Sequence, residues 1–354
     1  MAVIRVAFWN LQNLFDTTAS PLAADFEFTP ANGWTQAVFN AKVQNLASVI
    51  KLMHGGQLPH ILGMCEIENR DVVQTLVDRL APNDYAIAHI ESPDIRGIGT
   101  SLVYSTGVFD VDGLPVGHNV HMRYPTRDIF EVPLKLKSSG KKLRVFVNHW
   151  PSRSQGQRET EPLRQAVASR CGELVDMALK IEKKAFLALP ETDASLQLLQ
   201  SCWNENLLLM GDFNDEPFNS SVIDFLRAAN DTDHLEEVIK KPKGSALPAA
   251  ATYLGKEAPL YNCMWNLLGN TDTGTFYSSQ SPKTMNLLDQ FIVSRGLYFG
   301  SSGLKMRQEM IEIFKPALMC TGKNRPKKFE FDKSGIKVNG FSDHFPIQAT
   351  IEIL

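Results

Sequence analysis

The sequence predicts an α/β fold carried on one unit, and three observations predict it. Apolar, β-rich runs alternate with helical periods over the first eighty residues. The middle of the chain is rich in strand-like segments. Leu207-Leu208-Leu209-Met210 reads as a buried strand and stops at Gly211-Asp212-Phe213-Asn214, which places polar side chains at the exit of a rigid support.

Residues 3–8 are apolar apart from Arg5, so a strand opens the chain and runs into Trp9-Asn10. Residues 17–37 hold Pro, Gly, Ala and Thr and read as a loop. Apolar residues at Val43, Leu46, Ala47, Ile50 and Met53 give a helix over 39–53, ended by Gly55-Gly56. Residues 61–65 form a short strand, followed by Glu66-Ile67-Glu68-Asn69. Val72, Val73, Leu76, Val77 and Leu80 predict an amphipathic helix. Strands are expected at 85–90, 101–104, 108–111, 129–136 and 143–147, the last entering Asn148-His149-Trp150. Residues 154–160 read as a polar loop, and Pro162 suits the first turn of a helix over 163–181. A short helix around 196–202 precedes the central strand, and another follows at 220–228. Residues 240–275 are irregular, with Lys240-Lys241-Pro242-Lys243. A strand over 287–293 carries Asp289, residues 322–340 form a basic loop, and Ser342-Asp343-His344 leads into a last strand over 347–353.

Composition excludes several classes. Of the 354 residues, 44% are hydrophobic and 21% charged, as in an ordinary globular protein. A net charge of −3 gives no global field for nucleic acid, though a locally basic cleft stays open. The five cysteines are odd in number and form no Cys-x-x-Cys, which points to a reducing compartment. No apolar stretch is long enough to span a bilayer, and the first residues lack a charged segment followed by an apolar one. A soluble, cytoplasmic monomer with no membrane anchor is the expectation. No linker or repeat divides it, so one domain over 1–354 is expected.

The chemistry-bearing residues share one grammar: an apolar strand, then carboxylates, amides or imidazoles at its end. They are Asn10, Glu66 with Glu68, Asn148-His149, Asp212 with Asn214, and Asp289 with Asp343-His344. No Gly-x-Ser-x-Gly elbow or glycine-rich phosphate loop competes with them. Hard oxygen ligands without thiolates favour Mg²⁺, with Mn²⁺ as a substitute, over zinc. Carboxylates that hold such an ion, with a His and an Asp to move protons, are the requirements of phosphoester hydrolysis.

Trp9-Asn10, Gly63-Met64-Cys65-Glu66-Ile67-Glu68-Asn69, Asn148-His149, Gly211-Asp212-Phe213-Asn214, Leu288-Asp289 and Ser342-Asp343-His344 occur in this order across the chain. The ordered set resembles the endonuclease/exonuclease/phosphatase superfamily of Mg²⁺-dependent phosphoesterases. The resemblance implies a four-layered α/β/β/α sandwich, two central mixed sheets flanked by helices. It also implies roles. Glu66 would be the main Mg²⁺ carboxylate, with Asp343 as a direct or water-mediated ligand and Glu68 as a support. Asp212 would orient or deprotonate the attacking water, Asn214 would hold phosphate or metal, and Asn10 would hydrogen-bond into the group. His344 would contact the scissile phosphate or act as acid/base, with Asp289 fixing its tautomer, and His149 would be a second phosphate-side donor or acid. Nuclease members often carry an acid where this chain has Gln12, which leaves the number of metals open.

Arg153, four residues after His149, is expected to grip phosphate, while Arg96 and Arg127 read as surface arginines. Lys323, Arg325, Lys327, Lys328, Lys333 and Lys337 form a solvated loop or, on a sharper reading, a rail for a phosphate backbone. A nuclease acting on DNA or RNA is the first expectation. A phosphatase or phosphodiesterase on a small molecule or lipid headgroup is the second, and a catalytically silent binding domain on the same scaffold the third.

Overall fold

The alternation that opens the chain continues past Phe8. The first strand, β1, spans Val3–Leu14. It sends Ile4, Val6 and Phe8 to one side, and Ala7, Trp9 and Leu11 to the other. Both sets are buried, so both faces of β1 are covered. The structure, a computed structural model, describes residues 2–18, 27–81, 83–236, 241–269, 273–280, 283–334 and 338–354.

β2 (Ile61–Ile67), β3 (Tyr85–His89), β4 (Gly99–Ser105), β5 (Phe109–Val111), β6 (Val116–His118), β7 (Ile129–Leu136), β8 (Lys142–His149) and β9 (Leu207–Asp212) follow. The last third of the chain adds β10 (Ala228–Ala229), β11 (Leu260–Asn262), β12 (Phe276–Tyr277), β13 (Met285–Asn286), β14 (Asp289–Ser294) and β15 (Leu304–Met306). After these come β16 (Glu312–Ile313), β17 (Glu330–Phe331), β18 (Val338–Asn339) and β19 (Ile347–Ile353). One sheet runs β15-β19-β1-β2-β4-β3, with β16 on β19; β1 and β2 are parallel. The other runs β10-β11-β14-β9-β8-β7-β5, with β6 on β7; β8 and β9 are parallel. Both sheets are mixed.

The sheets pack face to face. Val6, Phe8, Cys65 and Leu102 of the first share a core with Val145, Val147, Leu208, Met210 and Phe291 of the second. The outer face of the first sheet, through Trp9, Leu62 and Met64, packs on helices Gln36–Ile50 and Arg70–Leu80. The outer face of the second, through Phe146, Leu207, Leu209 and Ile292, packs on Val167, Cys171 and Val175 of helix Gln157–Leu179. These are the four layers of an α/β/β/α sandwich. Strands buried on both faces read as continuous apolar runs, which is why 207–210 was visible as a strand.

Several elements differ from expectation. The long helix starts at Gln157, so 157–160 is not loop and Pro162 lies inside. The buried Arg164 ties down the first turn. Its guanidinium donates to Thr160 Oγ1 (2.7 Å) and Gln157 O (2.8 Å). The helix expected at 220–228 is a single widened turn, Ser221–Phe225. The irregular stretch contains helix Ala250–Gly255 and β11. The basic loop carries the β17–β18 pair. Lys240, Lys337 and residues 19–26 of the expected first loop lie outside the described residues.

Candidate active site

Strand parity aims most of the site. Asn10 follows Phe8 on β1, Asp212 follows Met210 on β9, His149 follows Val147 on β8, and Asp289 precedes Phe291 on β14. Each therefore shares the side of a residue that faces the other sheet. Register then aligns three of them. His149 is the partner of Asp212, and Asp212 of Asp289, so the three form one row across the second sheet. Gly211 permits this close pairing: a Cβ there would lie 2.3 Å from Asn148 O.

Glu66 breaks parity. It follows Met64, which faces the helices, and plain alternation would turn it away from the cleft. Instead the β2–β4 register shifts between Cys65 and Ile67, and Glu66 takes a left-handed φ of 59°. Beside it, the β1–β2 register shifts between Asn10 and Leu14, with Gln12 and Asn13 at φ 53° and 57°. Left-handed backbone costs an ordinary residue about 1–2 kcal/mol, and bulges of this kind re-aim side chains. The result is that Glu66 Oε1 accepts from Asn10 Nδ2 (3.2 Å) and Oε2 from Asn13 N (2.8 Å). Asn10 Nδ2 also donates to Asp212 Oδ2 (3.0 Å) and so links the two carboxylates.

The segment before β19 brings His344 to the row. Ser342 Oγ donates to Asn10 O (2.7 Å), and Trp9 Nε1 donates to His344 O (2.9 Å). These bonds dock the last motif on the first strand. His344 Nδ1 lies 2.7 Å from Asp289 Oδ2, and its Nε2 lies 3.8 Å from Asp212 Oδ2. Backbone N–H groups of Leu288 and Asp289 donate to Thr275 Oγ1. Across the cleft His149 Nε2 stands 3.8 Å from Glu66 and 4.0 Å from Asp212.

The buried charges shift one another. Burial disfavours the charged form of His344, yet the carboxylates of Asp289, Asp212 and Asp343 outweigh it and raise its pKa to about 10. Burial, with the charge of Asp289, pushes Asp212 up to about 7 against the opposing pull of His344. Asp343 is raised by burial and by Glu66. His149 is pushed well down by burial and by Arg127, Arg96 and His344, so its ring is neutral. The arrangement holds one imidazolium and one imidazole around a carboxylate that titrates near neutrality, suited to moving protons.

A family model for the endonuclease/exonuclease/phosphatase family matches residues 5–353. The chain belongs to that family. Members are hydrolytic phosphoesterases. No curated relative matches by sequence. An endonuclease/exonuclease/phosphatase family protein from Bacteroides thetaiotaomicron is similar in fold, with TM-score 0.55 and 13% identity over 99% of this chain and 98% of the other. The mannosyl-6-phosphatase of the same organism gives 0.54 and 14%, covering 99% of each chain. A truncated Caenorhabditis elegans TDP2 gives 0.50 and 16%, covering 99% and 97%.

Other residues singled out in this family member are occupied differently. Arg153 Nε donates to Asn214 O (2.6 Å), and its NH2 group reaches Asp215 Oδ1 and Asn219 Oδ1 (both 2.9 Å). Its fork is spent on bracing the loop after β9 rather than left open for phosphate. Asn214 does not continue the parity of Asp212, because β9 ends there and Asn214 is left-handed (φ 49°). Its N–H donates to Asp212 Oδ1 (2.9 Å) and its Nδ2 to Trp150 O (3.0 Å). Glu68 accepts from Asp16 N. Asn148 faces the helix layer, where Cys171 and Trp150 meet its Oδ1. Arg127 pairs with Asp94 (2.9 Å) and donates to Trp150 O, and Arg96 donates to Asn13 Oδ1 (2.9 Å). They brace the cleft wall and are not simple surface arginines. Lys42 escaped the sequence reading. A lysine between Phe39 and Val43 on an apolar helix face was its signal.

Family members use divalent metals. The donor set here fits one. Burial, and then a neighbouring carboxylate (Asp289 for Asp212, Glu66 for Asp343), raises both acids, and His344 compensates only in part. A hard divalent cation supplies that compensation. Among the described residues, Asp212, Asp289 and His344 offer atoms within 4.8 Å of one another. His344 Nδ1 is already bound to Asp289, so this trio suits proton transfer better than ion coordination. Glu66 and Asp343 offer hard oxygens of the kind such an ion takes. Gln12 adds nothing: its Nε2 donates to Phe329 O (3.0 Å) and its Oε1 accepts from Phe329 N (2.7 Å).

Proposed function

We propose that this chain is a Mg²⁺-dependent phosphodiesterase, a nuclease acting on DNA or RNA. One observation carries the reading: the His149–Asp212–Asp289 row, completed by His344 from the last motif, faces Glu66 across a shared Asn10. Glu66 and Asp343 would hold the metal, which when bound would supply Lewis-acid polarisation of the phosphoester. Asp212, oriented by Asn10 and by the amide of Asn214, accepts the proton of the attacking water. His344, kept charged by Asp289, faces the phosphate and stabilises the charge that develops there. His149 offers a neutral ring nitrogen on the other side.

Nucleic acid as substrate class is supported by the rim beside His344. The Phe276 ring lies 4.8 Å from the His344 ring, and the Arg325 guanidinium sits 3.6 Å over Tyr277. Aromatic and guanidinium planes of this kind stack on bases. The net charge of −3, together with a fold shared with a mannosyl-6-phosphatase, favours a second reading, a sugar-phosphate monoesterase.

The test is hydrolysis after EDTA treatment and metal restoration, over double- and single-stranded DNA, RNA, bis(p-nitrophenyl) phosphate and hexose 6-phosphates. Metal-restored cleavage of DNA or RNA, weakened by salt, is expected. Turnover of hexose phosphates alone would favour the second reading. Full activity in EDTA, or none on any phosphoester, would reject the mechanism.

A further inference from the structure

Lys42 sits on the core-facing side of helix Gln36–Ile50 and is 1% exposed. Lysine is almost never fully buried unless paired, and no carboxylate is within salt-bridge reach among the described contacts. Its ammonium donates instead to the backbone carbonyls of Gln12 and Asn13, the latter at 3.2 Å. The rings of Phe329 and Trp34 lie 4.9 and 5.7 Å from it. Gln12 and Asn13 are the two consecutive left-handed residues of the β1 bulge. Their conformation turns both carbonyls inward, where, without a donor, they would be buried unsatisfied.

The same bulge presents Asn13 N to Glu66 Oε2 at 2.8 Å. Arg96 holds Asn13 from the side through Oδ1 (2.9 Å). Gln12 is stapled to Phe329. Two neighbouring side chains, Lys42 and Arg96, and the side chain of Gln12 itself thus hold two left-handed residues, and the amide of one of them aims a carboxylate; Lys42 alone bonds the carbonyls of both.

We propose that Lys42 is a positioning residue that locks the Gln12–Asn13 bulge and so presets Glu66 for a divalent cation. The inference rests on the reading of Glu66 as a metal ligand. Lys42 touches neither substrate nor the reacting atoms. Its charge is felt directly by Glu66 and Asp343, and its hold on geometry runs through the backbone carbonyls, then the Asn13 amide, then Glu66. Partners that orient a metal ligand from behind are each worth about 10–100-fold in metal affinity.

The test is Mn²⁺ binding without substrate, read from the electron paramagnetic resonance signal of the free ion, on the full chain and on Lys42→Met and Lys42→Arg. Lys42→Met is expected to raise the Mn²⁺ dissociation constant about tenfold or more, with a smaller rise for Lys42→Arg. Turnover at saturating Mn²⁺ should fall much less than affinity does. A folded Lys42→Met with a lower melting temperature and unchanged Mn²⁺ affinity would show a core residue only and overturn the proposal. Should Lys42→Met fail to fold, Arg96→Gln carries the test, since it removes another donor from Asn13. Unchanged Mn²⁺ affinity there overturns the proposal, and weakened affinity supports it. Absence of Mn²⁺ binding by the unaltered chain would overturn both this inference and the metal reading beneath it.

Discussion

Replacing Asp289 by Asn tests the core of the mechanism. Unit charges 2.7 Å apart at an effective dielectric near 20 attract by about 6 kcal/mol. Burial of both groups takes back part of that, and breaking a buried pair from one side costs about 3–5 kcal/mol. Asp289→Asn should therefore lower stability by about 3 kcal/mol and bring the pKa of His344 down from about 10. The pH dependence follows from the sign of the shift. A histidine raised in the folded state contributes stability that is fully present below its unfolded pKa of about 6.5. That contribution fades as pH rises through about 10. The stability gap between wild type and variant should thus be widest near pH 6 and close above pH 10. Turnover should fall by about 10²–10³, the usual worth of one donor that stabilises transition-state charge. His344→Gln should fall as far, and the double variant should be little worse than the worse single, because the two act as a unit. Urea melts from about pH 6 to about pH 11, on either side of the raised His344 pKa, an imidazole NMR titration and a double-mutant cycle at saturating metal measure all of this. Multiplicative losses, or a His344 that titrates near 6.5 in the wild type, would refute the pairing.

Glu66→Gln should weaken Mg²⁺ and Mn²⁺ binding about tenfold or more by calorimetry; unchanged affinity would move the metal to other ligands. Gly211→Ala places a Cβ 2.3 Å from Asn148 O and should destabilise the chain by about 1–3 kcal/mol in urea melts. A neutral effect would mean that β8 and β9 can part without cost. Arg153→Ala should cost about 2 kcal/mol of stability through the loop acceptors it abandons. Its KM at saturating metal should change less than threefold, and a KM raised tenfold or more would return Arg153 to the substrate.

Much of the scaffold was legible because its strands are covered on both faces. Burial from two sides leaves uninterrupted apolar runs such as 207–210, and their ends mark the cleft. Helix Gln36–Ile50 was legible from its period, within three residues at each end. The start of helix Gln157–Leu179 was not, because Pro162 argues locally for a first turn. Arg164, which ties the first turn together, is itself held by Asp215 at 2.7 Å, a partner outside the segment that no local signal records.

Within the candidate site, a period of two is enough to aim several side chains. Asn10, His149, Asp212 and Asp289 continue the parity of buried neighbours, so their direction is a local property of extended backbone. Adjacency of Asp343 and His344 likewise required an orienting carboxylate from elsewhere, and Asp289 meets His344. The other side chains are aimed by distant contacts. Glu66 faces the cleft only because two neighbouring bulges rotate it there, and a bulge depends on the register of the partner strand. Asn214 leaves the parity of Asp212 when the strand ends. Arg153 is claimed by acceptors 61 to 66 residues away, and Lys42 by a bulge 29 and 30 residues before it. Direction along a strand is set by the two bonds on either side of a residue. A bulge or a buried cation is stable only when distant groups supply its hydrogen bonds, and no local pattern records where those groups will be.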